Sequence, residues 1–183
     1  MKHAIGIVLS VLGTGVLACV VGCQEPTVTY HDTPEQREIL AYSDASRMLS
    51  PAIRAFENAW NEAHSRTAPM NVREVLASSA LPSLTLLVET LERSEPKNAT
   101  LRNIHNPLLE SYRRLETLLR ECTDALDPRK FLEHHRDVLS EMKNLLLVQE
   151  RYQKDLQYYF VQHRVFPKSR PPGNPLEGEE PSE

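Results

Sequence analysis

Apolar side chains recur at alternating steps of three and four residues through most of the chain. Ile39, Tyr42, Ser46, Leu49, Ile53, Phe56, Trp60 and Ala63 form one such stripe, the signature of a helix with one face turned to a core. The segment from Leu76 to Leu91 is the most apolar after the first two dozen residues and is expected to be the most buried. Leu101, Leu108, Leu115 and Cys122 repeat every seven residues, with Ile104, Tyr112, Leu119 and Leu126 beside them, which reads as the seam of a helical bundle. A last stripe runs through Phe131, His135, Val138, Met142, Leu145, Gln149, Tyr152, Leu156, Tyr159 and His163.

Capping residues divide these stripes into four long helices. Thr33-Pro34-Glu35-Gln36 offers an N-cap hydroxyl, proline at the first helical position and Gln three residues after the cap. Asn71 with Glu74 is read as the start of a second helix, a point between Pro96 and Leu101 as that of a third, and Asp127-Pro128 as that of the longest. The connections are short, so the expected fold is all-α, an up-down-up-down four-helix bundle. Pro51, Pro82 and Pro107 fall inside three helices, where each removes a backbone donor and should kink or split its helix. Ser50-Pro51 and Asn106-Pro107 read equally as caps of new helices.

The N-terminus follows a different pattern. Met1-Lys2-His3 is followed by an uncharged apolar run from Ala4 to Val21, and Gly22-Cys23 leads abruptly into polar Gln24-Glu25-Pro26. That is the layout of a secretion signal, with an uncleaved anchor helix as the alternative. Val20-Val21-Gly22-Cys23 resembles the lipobox of bacterial lipoprotein signal peptides, and Val16-Leu17-Ala18-Cys19 is a poorer match because Val20 and Val21 follow it. The resemblance covers only this segment. It implies cleavage between Gly22 and Cys23, diacylglycerol on the Cys23 thiol and usually an acyl chain on the new amine. Gln24, where Asp would mark inner-membrane retention in many Gram-negative lipoproteins, implies the outer membrane facing the periplasm.

The expected organisation is therefore a cleaved signal over 1–22, a lipidated linker over 23–32, a helical bundle over 33–166 and a disordered tail over 167–183, rich in proline and glutamate. Two or more acyl chains give stable membrane attachment where one is marginal. The linker lets the bundle stand at most about 30 Å from the bilayer.

Composition narrows the function. The formal charge of the 183 residues is −4, and losing Lys2 lowers it further, the wrong sign for binding nucleic acid through its phosphates. All six glycines lie at 6, 13, 15, 22, 173 and 178, which leaves no Gly-rich phosphate loop in the body. There is no G-x-S-x-G elbow, H-E-x-x-H, Glu-x-x-His or Cys-x-x-Cys-His, so no catalytic constellation and no haem attachment is read, and no cofactor is assigned. Cys122 sits on a seam and reads as a small buried hydrophobe. Asn98-Ala99-Thr100 matches a glycosylation sequon.

In an antiparallel bundle the end of the first helix meets the start of the fourth. His64 would then lie near His134 and His135, with Glu133 and Asp137 close by. These histidines are the best metal-ligand candidates, weighed against an ordinary set of boundary histidines. The functional expectation is a non-enzymatic, membrane-tethered domain that engages another envelope protein; the alternative is a small-ligand or metal-binding bundle.

Overall fold

The computed structural model describes residues 33–165, and the expected signal, lipobox, linker and tail lie outside them. The described residues form helices without a strand: α1 (Pro34–Arg47), α2 (Leu49–His64), α3 (Pro69–Val75), a π-helical turn (Leu76–Ala80), α4 (Leu81–Arg93), α5 (Ala99–Asp124) and α6 (Pro128–Gln162). The all-α reading holds.

The caps explain most boundaries. The Thr33 hydroxyl accepts from the Gln36 N–H while the Gln36 side chain accepts from the Thr33 N–H, closing a capping box at α1. Asn98 caps α5 by accepting from the Thr100 and Leu101 N–H groups, so the sequon's asparagine is used as a helix start. Asp127 accepts from the Arg129 N–H and Pro128 opens α6. The second helix differs from expectation. It begins at Pro69 after an extended Ala68, and Asn71 lies inside its first turn, because proline's fixed φ initiates the helix three residues earlier without a side-chain cap.

The three interior prolines are accommodated in three ways. Pro51 has no N–H for the Arg47 carbonyl four residues back, and α1 ends at Arg47, leaving Pro51 in the first turn of α2. Ahead of Pro82 the chain widens into the π-turn, in which the Leu81 N–H reaches back to the Leu76 carbonyl. At Pro107 α5 continues unbroken. Pro107 and Asn103 are both exposed, so solvent can satisfy the carbonyl that proline leaves free.

The stripes face a common core. Ile39, Phe56, Trp60, Leu84, Leu87, Leu115, Leu119, Phe131 and Leu145 are among its buried members. Leu76, Ala80, Leu84, Leu87, Val88 and Leu91 are all buried, as the apolar run predicts. Pro69–Arg93 is also long and apolar enough to cross a membrane by length and composition, but this face of it is spent on the core. Leu126 departs from its stripe: α5 stops at Asp124, Ala125 turns extended and Leu126 is 74% exposed. The most extensive packing is between α5 and α6, followed by α2 against α4 and the π-turn, and α4 against α5.

Candidate functional site

His64 and His135 meet where α2 ends and α6 begins, their Nε2 atoms 3.0 Å apart. Helical geometry places them. His64 lies one turn after Trp60, whose carbonyl is 2.8 Å from His64 Nδ1, and His135 lies one turn after Phe131. The two imidazoles stack with centroids 5.2 Å apart. Trp60 packs on His64 at 4.2 Å and Phe131 on His135 at 5.4 Å, closing an aromatic box around the pair.

The hydrogen bonds fix the tautomers. A carbonyl only accepts, so His64 Nδ1 carries the hydrogen and His64 Nε2 presents its lone pair. His135 Nε2 must then donate across the 3.0 Å contact, and its Nδ1 is left as the acceptor. The pair is neutral. Burial lowers the pKa of both, and the neighbouring His64 helps bring His135 down to about 4. One added proton fits on His135 Nδ1 without breaking the contact, but a second leaves two N–H groups facing each other.

Two of the three predicted ligands are thus brought together. His134 is half-buried beside them and takes no part in the contact, while Glu133 and Asp137 are exposed. Two nitrogens bound to one tetrahedral zinc at about 2.05 Å lie roughly 3.3 Å apart, so the observed spacing resembles one edge of a coordination shell. Among the described residues no group of three His, Cys, Asp or Glu is arranged to hold a metal. The pair as folded is a proton-sharing contact, with a coordination shell only half supplied.

A second polar group was not foreseen. His105 is fully buried, and its Nδ1 lies 2.9 Å from the Tyr42 hydroxyl, which lies 2.8 Å from that of Tyr152. Its Nε2 is buried with no hydrogen-bond partner among the described residues. Burial pushes His105 down and both tyrosines up. Nearby, Gln149 donates to the Tyr112 hydroxyl at 2.7 Å. The signal for His105 was present: it stands four residues after Leu101 and three before Leu108, a seam position that Ile104 was read as sharing.

Compared with known proteins, the chain matches no family, no curated protein and no solved structure.

Cys122 behaves as its seam position implies. It is fully buried, with its sulfur 3.9 Å from the Phe131 carbonyl, and burial pushes the thiol up to about 12. A thiol reagent at pH 8 is expected to leave Cys122 unlabelled in native protein and to label it on unfolding in urea. Rapid labelling of the native thiol would contradict this.

Proposed function

We propose that this chain is a lipoprotein of the bacterial cell envelope, held at the membrane through Cys23, whose helical domain is a non-enzymatic interaction module for another envelope protein. The observation that carries the reading is the N-terminal segment itself: a positive start, an apolar run and Val20-Val21-Gly22-Cys23, followed by polar residues. The buried Tyr42, His105 and Tyr152 side chains bond among themselves, and Gln149 bonds to Tyr112. Gln24 favours the outer membrane, with the domain on its periplasmic side.

The finer architecture belongs to the same proposal. Taking α1 with α2, and α3 with the π-turn and α4, as single kinked legs gives an up-down-up-down four-helix bundle. Gln36 donating to the His163 carbonyl at 3.1 Å supports it at one end, and the His64 contact with His135 at the other. Those contacts join the start of the first leg to the end of the fourth, and the end of the first to the start of the fourth.

Fractionation tests the anchoring. Wild-type protein is expected in the membrane fraction and extractable only with detergent, and Cys23→Ala is expected to be uncleaved or released. A variant processed and retained as the wild type is would contradict the proposal. The His64 and His135 contact favours metal binding as the second reading, and zinc, copper or iron copurifying at one equivalent and lost in His135→Gln would establish it.

A further inference from the structure

The long helix α6 carries two stripes. One faces the core; the other runs along the outer side through Arg129, Arg136, Lys143, Leu147, Tyr158 and Val161, all exposed. At 100° per residue these six fall within about 40° of one line, and over 35 residues the helix extends about 52 Å. Leu147 is 67% exposed, Tyr158 66% and Val161 54%, a concentration of wet apolar surface on one helix. Arg129, Arg136 and Lys143 form no ion pair among the described residues, whereas Arg151 and Lys154, also on this face, are partnered by Asp155 and Glu150. Glu133 at the margin is the nearest acid on the basic half. A chain of net charge −4 thus presents on this face three basic side chains that form no ion pair among the described residues, followed along the same line by exposed apolar side chains.

We infer that this outer face of α6 lies against an anionic phospholipid surface, basic groups at the headgroups and Leu147, Tyr158 and Val161 in the boundary layer beneath. Charge complementarity selects the occupant, since a face mixing unpaired Arg and Lys with apolar anchors fits an anionic bilayer. The attachment point is the second argument. The Gln36 side chain donates to the His163 carbonyl, fixing the start of α1 beside the end of α6 that carries Tyr158 and Val161. A lipid on Cys23, at most about 30 Å of linker away, keeps that end of α6 within reach of the bilayer. This second argument rests on the lipoprotein reading. The consequence is orientation: the tethered domain lies along the membrane and presents its α4 side to the compartment, because α4 packs chiefly on α2 and α5.

The test uses the membrane-extracted protein with a spin label at Leu147→Cys or at Leu86→Cys, the buried Cys122 being unreactive. Leu86 is an exposed leucine on α4, so it controls for hydrophobicity alone. In vesicles of zwitterionic lipid with roughly a third phosphatidylglycerol, the label at 147 is expected to lose at least severalfold in accessibility to an aqueous relaxation agent. The label at 86 is expected to stay aqueous, and both to stay aqueous in purely zwitterionic vesicles. Each basic group near an anionic surface is worth about fivefold in partition. The triple variant R129E/R136E/K143E, all at exposed positions, should therefore weaken docking at least about 100-fold and return the 147 label to water. High salt should do the same to the unsubstituted charges.

A 147 label equally aqueous with and without anionic lipid overturns the inference. So does protection that requires added membrane protein and not anionic lipid, which would reassign the face to a protein partner. The intact mass of the same preparation reports separately on Cys23: a chain without lipid refutes the anchoring reading, while the label still reports whether this face binds anionic lipid.

Discussion

Replacing Trp60 with alanine is expected to destabilise the domain by about 3–5 kcal/mol, the usual cost of removing a large buried aromatic. Trp60 is 2% exposed and packs against three rings of the core: Phe56 one turn back and His64 one turn on along α2, and His135 across on α6. Its removal leaves a void beside the histidine pair, and the imidazoles lose the wall that excludes water. Trp60→Phe keeps part of the volume and is expected to cost less than half as much. Trp60 is the chain's one tryptophan, so urea unfolding should be followed by far-ultraviolet circular dichroism. Against a stability of about 5–15 kcal/mol typical of such domains, the alanine variant should lose a large fraction of the total. A loss under about 1 kcal/mol would contradict the packing described around this residue.

Acid is expected to begin destabilising the domain before most carboxylates titrate. His64, His105 and His135 all have pKa values below the ordinary 6.5, because burial disfavours their charged form. The unfolded chain therefore binds more protons below pH 6.5, and the stability these groups contribute is present above pH 6.5 and lost as pH falls. For His135 the loss runs from 6.5 to about 4. At 1.36 kcal/mol per pKa unit, reduced for the ring's partly exposed side, it amounts to roughly 2 kcal/mol. His105, fully buried with its Nδ1 committed to Tyr42, adds to it in the same direction. Glu57 works the other way, since burial raises its carboxyl and a neutral acid suits the fold. Unfolding free energies at pH 7.5, 6, 5 and 4 should decline for the wild type and flatten for His135→Gln over the lower half of that range. A variant with the wild-type slope would show that the pair is not responsible.

Much of this molecule was legible before its structure was. The stripes from Phe131 to Tyr159 and from Leu101 to Cys122 face the core because a helix period of 3.6 residues leaves such patterns little alternative. The meeting of His64 with His135 followed from the packing of helices joined by short loops. The failures were local. Pro82 was recognised as a problem for its helix, but a π-turn and a break both relieve it, and only packing chooses between them. Asn71 resembled a cap because its side chain can serve as one, and Pro69 set the backbone two residues earlier. His105 was passed over because imidazole is polar by type, and its burial depends on Tyr42 arriving from another helix. The outer stripe of α6 had no signature of its own until exposure separated it from the rest of the polar face.

We propose above that Cys23 carries lipid and holds the domain at a membrane. The most direct measurement is the intact mass of the membrane-extracted protein, wild type beside Cys23→Ala. The wild-type chain is expected to begin at Cys23 and to be heavier than its sequence by a diacylglycerol and, where the amine is acylated, one further acyl chain. Cys23→Ala is expected to lack this addition. A wild-type mass equal to the unmodified full chain would contradict it.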